Sequence, residues 1–286
     1  QYRCFALEGD DLYAGAANGY IHKWDVRGFE LAAAWPGHSQ RVSCLLLGSK
    51  RPSFDGRLRA RKLFSGSFDN TVRIWDLWKG GSKGTCIGIL KHTEDVRALC
   101  RHGSILFAAQ GARIVLWDIA KVGGMRRCGE LRRHAGLIDD LKLFGGRLFS
   151  AGQGGAIHVW EKSCAGSEQW CELQCWRGHS EHYRVRCLAQ GGGGRFFSAA
   201  HSDREGAPHR GPALWSHTMQ DSEAELCFWS GDGGLRLRRP APSPVTGMAH
   251  VEGILFTADL GGSVRLWNAD TGDAISAFRA HAGEIR

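Results

Sequence analysis

No apolar run in the 286 residues approaches the roughly 18 that a membrane-spanning helix needs. The stretch Gln1 to Leu7 has no basic start followed by an apolar segment, so no secretory signal is read there. The chain begins at Gln1 rather than Met, as expected of a fragment or a processed chain. A G-x-x-x-x-G-K-[ST] phosphate loop is missing, and the glycines at 191–194 are not followed by Lys and Ser or Thr. No H-E-x-x-H zinc motif and no pair of C-x-x-C motifs occurs. The expectation is a non-catalytic protein that needs no cofactor or metal and does not enter a membrane.

What is present points to strands. Hydrophobic residues make up 43% and charged residues 23%, enough for a sizeable core. Forty glycines and eleven tryptophans suit many short strands, tight turns and repeated large anchors. Four of the ten cysteines, Cys4, Cys44, Cys100 and Cys187, recur within one repeated pattern. They read as small buried residues rather than a disulfide framework, which places the chain in a reducing compartment, cytoplasmic or nuclear. The net charge of +8 favours acidic partners.

The repeat is clearest at Lys62 to Leu77, and weaker copies occupy 12–26, 105–119, 147–162, 195–217 and 254–269. Each copy holds a Trp near its end: Trp24, Trp75, Trp117, Trp160, Trp215 and Trp267, spaced by 51, 42, 43, 55 and 52 residues. A second landmark precedes most copies: Gly37-His38, Lys91-His92, Arg133-His134, Gly178-His179 and Ala280-His281. A short V-x-x-L strand follows, as in Val42–Leu45, Val96–Leu99 and Val185–Leu188. Each copy reads as four short antiparallel strands, and one such sheet needs neighbours to cover both of its faces.

Across essentially its whole length this pattern resembles the WD40-repeat family. The resemblance implies an all-β β-propeller of four-stranded blades. Six fit the chain, at about 2–40, 41–94, 95–136, 137–181, 182–244 and 245–283, as one domain over 1–286. Glu284-Ile285-Arg286 looks like the start of another strand, so a seventh blade in a longer parent chain is expected, with a closed six-bladed ring as the rival. The family's tetrad joins a loop His, a strand Ser or Thr, a turn Asp and the strand Trp, which implies His38, Ser65, Asp69 and Trp75 in blade two. Elsewhere it is eroded: Asn18, Gly154 and Gly261 stand at the turn position. Blade five carries an insertion, 201–212, which reads either as a functional loop or as a tolerated one.

In each V-x-x-L strand the residue after Val lies on the face that bears the turns between the second and third strands of each copy. That position holds Arg3, Ser43, Arg97, Asp139, Arg186 and Thr246, with Arg286 in the truncated copy. F-box-type WD40 propellers grip phosphorylated peptides with arginines at this place, so the resemblance implies that Arg3, Arg97 and Arg186 bind an acidic or phosphorylated peptide. Asp139 in the series weighs against it, as does Phe68 where a basic residue would help. Solvated arginines are the plain alternative. The resulting function is a protein-interaction scaffold, as in a substrate receptor of a ubiquitin ligase. A second class is a propeller binding RNA or another polyanion through Lys50, Arg51, Arg57, Arg59, Arg61 and Lys62, or through the Arg126–Arg133 and Arg236–Arg239 clusters. Those loops lack interleaved aromatics for base stacking. Cys171 and Cys175, four apart in an expected strand, share a face, so a zinc site there is conceivable. Core or surface cysteines are favoured there over zinc.

Overall fold

The computed structural model describes residues 1–48, 50–52, 58–60, 62–78, 83–120, 123–163, 169–202 and 224–280. The chain forms two compact units, Gln1–Arg132 and Arg133–Arg286. Among the described residues the strands group into six four-stranded antiparallel sheets, each in plain sequential order.

In the first unit, blade one is Tyr2–Glu8, Asp11–Ala16, Tyr20–Asp25 and Glu30–Pro36. Blade two is Val42–Leu47, Lys62–Ser67, Thr71–Asp76 and Thr85–Lys91, with a small hairpin, Lys50–Pro52 and Leu58–Ala60, between its first two strands. Blade three is Val96–His102, Ile105–Gln110, Arg113–Asp118 and Arg126–Arg132. In the second unit, blade four is Ile138–Phe144, Arg147–Gly152, Ala156–Lys162 and Trp170–Arg177. Blade five is Tyr183–Gln190, Phe196–Ser202, Ala224–Trp229 and Leu235–Ala241. Blade six is Val245–Val251, Ile254–Asp259, Ser263–Asn268 and Ala274–Arg279.

The cores lie between blades. Tyr13, Ile21 and Trp35 of blade one pack on Val42, Leu63 and Trp75 of blade two. Phe64, Val72 and Ile74 pack on Val96, Leu106 and Ala108 of blade three. In the second unit Phe149 and Trp176 meet Phe196 and Trp229, and Phe197 and Phe228 meet Leu255 and Trp267. The second strand of blade three, Ile105–Gln110, is buried at every residue and reads as a largely apolar run. The fit is close at Gly66. A Cβ there would stand 2.5 Å from Cys44 Sγ and 2.8 Å from Val96 Cγ1.

Two bulges recur in every blade and aim the side chains that matter. The first strand skips one residue against the second: Arg3, Ser43, Arg97, Asp139, Arg186 and Thr246 are the extra residues. A bulge leaves one residue out of the ladder and turns its side chain. The same six positions were singled out by the V-x-x-L pattern. The second bulge adjoins the Trp of the third strand: the register slips at Trp24, Trp75, Trp117, Trp160, Trp229 and Trp267.

This second bulge corrects the expectation for blade five. Its third strand is Ala224–Trp229, and its repeat Trp is Trp229, not Trp215. Trp215 and most of the expected 201–212 insertion fall in 203–223, outside the described residues. A second correction concerns Cys171 and Cys175. Cys175 pairs with His158 and Cys171 with Glu161, because the bulge at Leu173 breaks the alternation. The two cysteines lie on opposite faces of the strand.

Candidate functional site

In blades two, four and five a loop histidine ties the blade's entry to its centre. In blade two, His38 Nδ1 lies 2.9 Å from Asp69 Oδ2 and Nε2 lies 2.7 Å from Ser65 Oγ. Trp75 donates its indole N–H to the same Ser65 Oγ at 2.8 Å. Burial holds the His38 pKa below its usual value despite Asp69. The neutral ring donates from Nδ1 to the carboxylate and leaves Nε2 to accept from Ser65. Asp69 is itself partly buried, which raises its pKa. Hydrogen bonds from the Thr71 hydroxyl at 2.6 Å and the Ser39 N–H at 3.1 Å outweigh that and keep it low.

Blade five holds a second complete set. His179 Nε2 lies 2.7 Å from Ser198 Oγ, Trp229 donates to Ser198 at 2.8 Å, and His179 Nδ1 lies 2.6 Å from Glu225 Oε1. Glu225, on the third strand, supplies the carboxylate that a turn Asp supplies in blade two. Sequence reading missed it because it sought the acid in the turn. Blade four keeps His134–Ser150–Trp160, with contacts of 2.7 and 2.8 Å, and Gly154 stands at the turn. Burial, with neighbouring His158 second, lowers His134 to about 3. Blade six keeps Trp267 to Thr257 at 2.9 Å, while His281 lies outside the described residues.

The bulge arginines make different local sites. In the first unit, two guanidinium groups lie over the ring of Phe68, in the turn between the second and third strands of blade two: Arg41 at 3.5 Å and Arg97 at 5.0 Å from the ring centroid. Arg97 also pairs with Asp95 at 2.7 Å. Cation–π stacking orders both guanidinium groups at the ring, and Asp95 offsets part of the Arg97 charge. Phe68 thus positions two arginines in this turn. Arg3 occupies the corresponding bulge in blade one. In the second unit, Arg186 lies 3.6 Å from Asp139, a carboxylate that Arg184 grips with two nitrogens. Much of that patch is internally compensated.

Several members of the other basic clusters are paired. Arg127 and Arg132 bind Glu130, Arg126 faces Asp118 at 3.9 Å, and Arg133 meets Glu172 at 3.2 Å. Arg239 donates to the Thr271 and Gly272 carbonyls, and Arg238 reaches Glu225 at 3.4 Å. The side chains of Lys50, Arg51, Arg57, Arg59 and Arg61 lie outside the described residues.

A family profile described as WD domain, G-beta repeat (WD40) matches residues 29–76, the stretch that holds His38, Ser65, Asp69 and Trp75. An F-box/WD-40 repeat-containing protein of Arabidopsis thaliana is 28% identical over 178 residues, 58% of this chain and 30% of that protein. An uncharacterized WD repeat-containing protein of Schizosaccharomyces pombe is 24% identical over 276 residues, 94% of this chain and 67% of that protein. The chain therefore spans under a third of the plant relative's length. The crystal structure of the computationally designed Ika8 protein matches with a TM-score of 0.66 at 20% identity, covering 99% of this chain and 88% of that one. That likeness concerns the fold alone. With this match over its most complete repeat and six sequential four-stranded blades among the described residues, the chain has the all-β fold of the WD40 β-propellers.

Proposed function

We propose that the chain is a non-catalytic scaffold that receives an acidic or phosphorylated peptide at the bulge arginines, centred on Arg97 with Arg41 and Phe68. WD40 propellers generally act as protein-interaction scaffolds, and such a role suits a rigid frame presenting loops. The observation that carries the finer reading is the pair of guanidinium groups, Arg41 and Arg97, that both lie over the Phe68 ring. Guanidinium groups gathered at one side chain suit a phosphate or carboxylate, through bidentate hydrogen bonds. Arg3 and Arg186 sit at the same bulge of blades one and five and extend the reading to those blades. The plant relative's F-box/WD-40 description supports a role in recruiting substrates to a ubiquitin ligase.

A peptide array probed with the wild-type chain and with the Arg97→Ala/Arg186→Ala double variant tests this. Acidic and phosphorylated spots that bind the wild type should fade in the variant. Undiminished binding of every acidic spot would overturn the reading. Retention of wild type on single-stranded RNA, with no acidic peptide bound, would overturn it in favour of a polyanion-binding role.

A further inference from the structure

We infer that blade four carries a zinc site formed by His158 Nδ1, Glu172 and Cys175 Sγ. The third and fourth strands of this blade place His158 directly opposite Cys175. Glu172 and Cys175 are three apart, a spacing that puts side chains on opposite faces of a regular strand. The bulge at Leu173 removes that mismatch: Glu172 pairs with Trp160, which shares a face with His158. Three donors of different type therefore converge from two adjacent strands. The ligand atoms all lie within 4.8 Å of one another, and His158 Nδ1 is 2.5 Å from Glu172 Oε1. Zinc bonds of about 2.0–2.3 Å set tetrahedral ligand atoms roughly 3.3–3.8 Å apart, so modest side-chain rotations close the site.

His158 is the informative member. The tetrad of this blade uses His134, Ser150 and Trp160 and does not need it. Blade two has Arg73 at the same cross-strand place, opposite its Ser65. His158 is buried, yet it borders a cavity of about 380 Å³ lined also by Arg133, Arg177 and His182, which gives an ion a way in. Arg133 holds the other Glu172 oxygen, Oε2, at 3.2 Å, so it orients the carboxylate and leaves Oε1 to the ion. A water fills the fourth position in a three-ligand zinc site. A thiolate and a carboxylate balance the double charge. Mixed N, O and S donors select zinc over calcium or magnesium, which take oxygen.

A similar trio, His179, Glu225 and Cys227, lies in blade five. There both imidazole nitrogens already serve the tetrad, and Arg238 stands at Glu225. That trio provides the control.

The experiment uses the full, tag-free chain, stripped with chelator, then titrated with zinc and separately with cobalt(II). Wild type is expected to take up one zinc and, with cobalt, to show tetrahedral d–d bands and a thiolate-to-cobalt charge-transfer band. Cys175→Ser should lose the charge-transfer band and weaken zinc at least tenfold. Glu172→Gln keeps the shape of the side chain and should also weaken zinc at least tenfold. Cys171→Ser, on the opposite face, and Cys227→Ser should behave as wild type. No zinc uptake by wild type overturns the assignment. So does a charge-transfer band that survives in Cys175→Ser or disappears in Cys227→Ser.

Discussion

The rings of His92 and Trp117 meet edge to face in blade three, with centroids 5.6 Å apart. Neither His92 Nε2 nor Trp117 Nε1 has a hydrogen-bond partner among the described residues. In blades two, four and five a serine hydroxyl serves both groups. Blade three has Ala108 at that place, paired with Val115 as Ser65 is with Arg73. His92 instead anchors through Nδ1 to Gln110 at 2.7 Å.

Ala108→Ser should therefore stabilise the chain. The new hydroxyl can accept from the Trp117 indole and donate to His92 Nε2, and each buried group so satisfied contributes about 1 kcal/mol. Urea unfolding with an unchanged slope is the check. A lower midpoint would show that the hydroxyl does not reach these partners.

The converse holds in blade five. Ser198→Ala strands both His179 Nε2 and Trp229 Nε1 in the core, at a cost of about 2–4 kcal/mol. Trp229→Phe keeps a ring against Trp176, now stacked at 5.5 Å, but loses the indole donor and part of the packing. A loss of about 1–3 kcal/mol is expected by chemical denaturation. A neutral Trp229→Phe would contradict the assignment of Trp229 as this blade's anchor.

Acid should weaken the fold before its carboxylates titrate. Burial lowers the pKa of His38 and of His92. A histidine whose folded pKa is lowered takes up a proton more readily when unfolded. Its contribution is complete above the unfolded value, near 6.5, and falls away as the pH drops below it. Each such histidine costs up to about 1.4 kcal/mol per pH unit. With His134 lowered as well, stability should fall by up to about 4 kcal/mol between pH 7.5 and 5.5, and His38→Gln should flatten part of that slope. Asp69, held low, adds its loss at more acid pH, as the pH drops toward its folded value. A melting temperature constant from pH 7.5 to 5.5 would count against neutral buried imidazoles.

The legible parts of this fold were those repeated in phase. Histidine landmarks and V-x-x-L strands placed the blades, because each blade solves the same burial problem with the same residues. The V-x-x-L pattern also singled out the bulge positions, though not the bulge itself. Blade five escaped because Trp215 sits at a plausible interval from Trp160, while residues 203–223 separate Ser202 from the true third strand. The distance to the following strand carried the missing signal. Trp24, Trp75, Trp117 and Trp160 precede the Val or Ile that opens the next blade by 18, 21, 21 and 25 residues, Trp229 precedes Val245 by 16, and Trp215 precedes it by 30. The Arg41–Phe68–Arg97 stack was not legible, since Arg41 lies in a loop outside the repeat and Phe68 reads as an intrusion. Cys175 with His158 was hidden by a bulge that no residue type announces.

The direct test of the scaffold reading is the affinity of an array-selected acidic or phosphorylated peptide, measured by fluorescence anisotropy at two salt concentrations. Arg41→Ala and Arg97→Ala should each weaken binding about 5–30-fold, the loss expected for one charge-assisted contact of about 1–2 kcal/mol. Arg239→Ala, whose guanidinium serves the Thr271 and Gly272 carbonyls, should leave it unchanged. Full-strength binding in an Arg41→Ala/Arg97→Ala double variant would contradict the account.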